Sequence, residues 1–82
     1  MSRHYLEFVL SVKDASAGVI RNSLVEFGEG LEIVALNEEA PDCRDFRIRI
    51  YTEDPTIIFD TCAQFGRLKS IKVDEKHDKG GV

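Results

Sequence analysis

Tyr5-Leu6-Glu7-Phe8-Val9-Leu10-Ser11-Val12 is the stretch whose reading decides how this chain folds. Leu6, Phe8, Leu10 and Val12 recur at every second position, and Tyr5, Glu7, Val9 and Ser11 fill the positions between them. Side chains of a strand point alternately to its two sides, so the stretch predicts a β-strand with one fully apolar face and one mixed face. It is the longest clean alternation in the sequence. It is therefore expected to be the central strand, with helices packed on its apolar side.

Outward from that strand, Met1 to His4 reads as a short polar start, and Lys13-Asp14-Ala15-Ser16 breaks the alternation. Asp14 or Ser16 can cap a following helix by accepting from its free amides. Ala17, Ile20, Leu24 and Phe27 then form a stripe at helical spacing, with Arg21, Asn22 and Glu26 opposite and Gly28 and Gly30 as the stop. Leu31, Ile33 and Ala35 alternate with Glu32, Val34 and Leu36, which predicts a second strand. The polar run from Asn37 to Asp45 reads as a loop, and Phe46 to Tyr51 as a third strand, paired with the second in a hairpin. Asp54-Pro55 starts a second helix, because aspartate caps and proline at the first helical position forfeits no bond. Ile58, Cys62 and Phe65 mark its buried stripe, with Phe59 flanking, and Gly66 its stop. Arg67 to Val73 closes the domain as a strand, with Ile71 and Val73 expected to face the core. Residues 1–73 are thus read as a single domain and residues 74–82 as a flexible polar tail ending Gly80-Gly81-Val82.

The order β-α-β-β-α-β predicts an α+β, ferredoxin-like arrangement: a four-stranded antiparallel sheet with two helices on one face. The other face stays bare. Tyr5, Val9, Val34, Leu36 and Tyr51 share it with Glu7, Glu32, Arg47, Arg49 and Lys72. That mixture is either a solvated surface with complementary charges or a contact surface for a second copy or another protein. The expected interface residues are Tyr5, Val9, Val34, Leu36, Arg47, Arg49 and Tyr51.

Composition narrows the partners. A chain of 82 residues buries only about 60–65% of its unfolded surface, so self-association would help it. Its net charge of −4 repels phosphate backbones, and no nucleic acid is expected as a partner. Arg47-Ile48-Arg49-Ile50-Tyr51 also lacks the glycine of an RNA-recognition sheet motif. Cys43 and Cys62 lie 19 positions apart without a histidine pair, so no metal or cofactor is expected. Cys62, in an apolar helical stretch, reads as a buried thiol. No leader is expected before Tyr5, and no apolar run reaches the roughly 18–20 residues of a membrane span. A cytoplasmic protein with reduced thiols and no membrane contact is expected.

Asp14, Gly18, Val19 and Ile20, with Asp54-Pro55 before the second helix, resemble the ACT-domain family of small regulatory modules over roughly residues 5–73. The resemblance implies a homodimer that binds an amino acid or similar small metabolite near the first turn, with Asp14, Ser16, Gly18 and Val19 as ligand-binding residues. The chain departs from the family pattern in three ways. Ala17 stands where a proline is common, the spacer is longer, and the first helix is shorter. Set against it, Asp14 and Ser16 simply cap the helix and Gly18 relaxes its first turn. No catalytic residue stands out: His4 and His77 fall in the expected flexible ends, and Glu38 and Glu39 in a polar loop. The Cys-x-x-Cys loop of metal carriers and the glycine- and arginine-bearing loop of acylphosphatase-like enzymes are both missing. The chain therefore reads as a non-enzymatic regulatory or interaction module. The alternative is a protein-binding adaptor or chaperone that uses the bare sheet face.

Overall fold

The computed structural model describes residues 2–36 and 43–77. The elements follow in the order β1 (Ser2–Val12), α1 (Ala17–Leu24), a 3-10 turn (Val25–Phe27), β2 (Glu29–Ala35), β3 (Arg44–Thr52), α2 (Pro55–Ala63) and β4 (Gly66–His77). The protein is α+β, with one four-stranded antiparallel sheet ordered β2-β3-β1-β4 and two helices. β1 is an inner strand, paired along its length with β3 and β4.

The alternation of β1 is carried through into packing. Leu6, Phe8, Leu10 and Val12 are buried and meet Phe46, Ile48 and Ile50 from β3 and Ile20, Leu24, Ile58 and Cys62 from the helices in one core. Phe59 adds an edge-on contact to Phe8, with ring centroids 5.6 Å apart. Both helices therefore close the same side of the sheet. Each also carries a side-chain cap, and of the two residues the sequence offers at α1, Asp14 and Ser16, it is Ser16. Ser16 Oγ accepts from the Val19 amide at 3.3 Å, and Asp54 Oδ1 accepts from the Thr56 amide at 3.2 Å, with Pro55 opening α2. Thr52 ties the far end together: its buried hydroxyl donates to the Phe27 carbonyl at 2.7 Å and accepts from the Asp54 amide at 3.1 Å.

Several expectations shift. Phe27 leaves the buried stripe and is 40% exposed, because the 3-10 turn at Val25–Phe27 changes the angular step from one residue to the next. Gly28 is extended rather than left-handed, and Gly30 sits inside β2. There its φ of +65° accommodates a register shift between Glu29 and Glu32. Gly66 opens β4 instead of merely ending α2, against the Ser11 carbonyl, where no side chain fits.

Both ends of the β1–β4 ribbon reach further than expected. Ser2 to His4 belong to β1, and β4 runs to His77, four residues into the stretch read as a tail. Residues 78–82, with Gly80-Gly81-Val82, lie outside the described residues, as do Glu38 and Glu39. Ile71 and Val73 do not join the core, being 49% and 47% exposed. A bulge sets which way this part of β4 faces. Between Glu7/Lys72 and Val9/Lys69, two β4 residues, Ser70 and Ile71, oppose Phe8 alone, and Ser70 takes a positive φ of 53°. The extra residue brings Val73 opposite Leu6, on the helix side, yet the helix layer leaves this part of the edge strand uncovered.

Candidate functional site

A groove of about 870 Å³ opens where β1 ends and α1 begins. Lys13 and Asp14 enter it from the turn, Val19 from α1, Phe65 from the end of α2, and Arg67 and Lys69 from β4. Strand register assembles it, since Val12 stands opposite Gly66, Ser11 opposite Arg67 and Val9 opposite Lys69. Three residues of the lining are held from behind by Asp45. Ser11 Oγ donates to Asp45 Oδ1 at 2.6 Å, Lys69 Nζ lies 3.7 Å from Asp45 Oδ2, and Cys43 Sγ lies 4.0 Å from Asp45 Oδ1.

The groove has a definite electrostatic character. Asp45 engages Lys69, whereas among the described residues Lys13 and Arg67 form no ion pair, and Asp14 is the one acid in the lining. The dipole of α1 adds to this, being positive at its N-terminal end, although the Val19 amide is already taken by Ser16 Oγ. Among the described residues the lining is cationic, with Val19 and Phe65 contributing carbon surface. Such an arrangement suits a small anion with an apolar part.

Two of the four expected ligand residues, Asp14 and Val19, line this groove. The other two stand beside it in supporting roles. Ser16 is the cap of α1, and Gly18 faces open space, with Ser16 Oγ the nearest neighbour a side chain there would meet, at 3.9 Å. Sequence reasoning missed Cys43, Gln64, Phe65, Arg67 and Lys69, whose approach depends on pairing between distant strands rather than on any local pattern.

The expected interface residues form four rungs across the open side of the sheet. Tyr5 and Tyr51 pair with ring centroids 5.0 Å apart, and Arg3 lies 5.8 Å from the Tyr51 centroid and 2.8 Å from Glu29. Next come Glu32, Arg49, Glu7 and Lys72, in which Glu32 and Glu7 both pair with Arg49, at 3.5 Å and 3.8 Å. Val34, Arg47, Val9 and Lys69 follow, and Arg47 reaches Glu7 at 4.0 Å. Leu36, just past β2, bonds through its amide to the Asp45 carbonyl at 2.8 Å. Val34 and Leu36 are exposed.

A smaller cavity of about 330 Å³ lies at the opposite end of the sheet, among Glu26, Glu29, Glu53, Asp54, Arg3 and Ile57. Its acidic lining is the reverse of the groove's. Among the described residues no group of three or more potential ligands is placed to hold a metal ion, and no helix is long and apolar enough to cross a membrane. No family model, curated protein or solved structure matches the chain.

Proposed function

We propose that this chain is a non-enzymatic regulatory module of ferredoxin-like, ACT-like build that binds a small carboxylate-bearing metabolite, such as an amino acid, in the groove at the head of α1. The observation that carries this reading is the pair of cations, Lys13 and Arg67, left without ion-pair partners among the described residues on the rim of a groove that also holds Val19 and Phe65. A carboxylate would be held by Arg67 and Lys13, Asp14 would meet an ammonium group, and Val19 and Phe65 would contact the side chain. Element order and the antiparallel sheet order β2-β3-β1-β4 support the assignment of build. The bare sheet face supports the adaptor reading less well, because the charges of its central rung already answer one another across the strands.

Thermal shift across a panel of amino acids, other carboxylates and nucleotides tests the reading. A binder present at about 100 times its Kd raises stability by about 2.7 kcal/mol. Saturable stabilisation is expected from a carboxylate ligand, weakened by salt and abolished by Arg67→Ala and by Val19→Trp, which fills the groove. A flat response across the panel would overturn it and leave the adaptor reading in its place.

A further inference from the structure

We propose that a second copy of this chain docks on the outer edge of β4, antiparallel and centred on Val73, joining two sheets into one of eight strands. The proposal gives the self-association expected of this module a specific contact, and it does not depend on what the groove binds.

β4 is an edge of the sheet, so the amides and carbonyls that point away from β1 have no ladder partner among the described strands. The edge strand changes character at the bulge. Beyond Ser70 it presents Ile71, Lys72, Val73 and Asp74, all exposed. Ile71 and Val73 are half-exposed β-branched side chains beyond the cover of the helix layer. Lys72 stands opposite Glu7, and Asp74 opposite Tyr5, which puts both on the open side. Neither forms an ion pair among the described residues, and Glu7 is already engaged by Arg47 and Arg49.

Charge then selects both the partner and the register. A two-fold axis through the sheet keeps each side chain on its own side, so β4 residues can meet only residues of the same side in the second copy. Placing Val73 opposite Val73 sets Lys72 against Asp74 of the other copy, twice by symmetry, and brings the two Val73 side chains together on the helix side. A shift of two residues in one direction sets Lys72 against Lys72, and in the other Asp74 against Asp74. Like charges directly opposed destabilise a pair of strands. A lysine on an edge ordinarily deters foreign strands; with Asp74 two positions on, it admits this chain in one register. The occupant favoured by the edge is a copy of itself.

Sedimentation velocity on the full chain, over a wide concentration range, tests the contact. The unmodified chain is expected to dimerise reversibly. Lys72→Asp alone places acids against acids, and Asp74→Lys alone places bases against bases, so each variant is expected to be monomeric. Mixed together, the two variants are complementary and are expected to form a heterodimer, a recovery that misfolding of either could not produce. Val73→Lys is expected to weaken the dimer at least tenfold. A dimer that survives both single charge changes, or variants that stay monomeric when mixed, would overturn the edge contact. In the first case, loss of the dimer on Val34→Lys or Tyr51→Lys would move the contact to the sheet face and keep the self-associating module. A chain that is monomeric throughout would overturn self-association itself and leave the ligand test standing.

Discussion

The two sides of the sheet are made by the same strands and are built on different principles. On the closed side, β1 contributes Leu6, Phe8, Leu10 and Val12, all buried among carbon atoms from β3 and the two helices. On the open side, the same strand contributes Tyr5, Glu7, Val9 and Ser11, each half-buried by its cross-strand neighbours alone. Burial of apolar surface scales with area and carries most of the stability of a small domain. Exposed ion pairs such as those of the open side are typically worth about 0–1 kcal/mol each. Folding free energy is therefore concentrated on one side, and the other can change with little penalty. What varies freely is what a protein can use for recognition, and the groove and the β4 edge draw on open-side residues such as Arg67, Lys69, Lys72 and Asp74.

Neighbouring positions of β1 break the comparison most directly. Phe8→Ala removes a fully buried ring that touches Phe59. It should cost about 3–5 kcal/mol, a large share of the roughly 4–12 kcal/mol expected for a domain of this size. Val9→Ala, one position on and facing the open side, should cost less than about 1 kcal/mol. Urea midpoints of the two variants measure the contrast. Comparable losses would mean that the open side is covered in solution and that the two sides share one kind of packing.

How much of this was legible depends on how far each feature reaches along the chain. Period-two and helical alternation are local, and they predicted β1, β3 and both helix starts, with Asp14 or Ser16 as the first cap and Asp54 as the second. The fate of Ile71 and Val73 was not local. It turns on a bulge at Ser70, a single inserted residue that simple alternation cannot reveal, and on where the helix layer stops. Phe27 was misplaced for a related reason, since a 3-10 turn keeps the composition of a helix and changes its step. The groove was half legible. Asp14 and Val19 sit at a turn and helix start, whereas Arg67 and Lys69 reach the groove through a register set 56 and 60 residues away by pairing with Ser11 and Val9.

The two thiols carry the comparison into pH. Burial in the closed side pushes the Cys62 thiol up to about 12, from an ordinary 9.0. The neutral thiol is favoured in the fold, so this contribution is complete below pH 9. It is lost as pH rises from 9 towards 12, where the unfolded chain ionises and the folded chain does not. Stability of the native chain relative to Cys62→Ala should therefore fall by about 1.4 kcal/mol per pH unit across that window. Cys43 is only half-buried, so a thiol reagent should modify it in the folded protein and reach Cys62 only on unfolding. A difference between native chain and variant that is flat from pH 9 to 12 would show that Cys62 is wetter than its place in the core requires.

The smallest effect lies on the open side and is the most diagnostic of its character. Glu7 is flanked by Arg47 at 4.0 Å and Arg49 at 3.8 Å, with Lys72 across from it on β4. Glu7→Gln keeps the size and polarity of the side chain but removes the negative charge that Arg47 and Arg49 share, leaving Arg49 its contact with Glu32. The loss should be about 0.2–1 kcal/mol at low salt, made of forfeited attraction and of repulsion among the remaining positive groups. Because these side chains are partly in water, salt at molar concentration should shrink the loss severalfold as the screening length falls to about 3 Å. The same substitution in the closed side would have no such remedy, since ions do not enter a carbon core. A loss that salt leaves unchanged would mean that Glu7 acts through packing, and that the open side is stabilised by the same physics as the closed one.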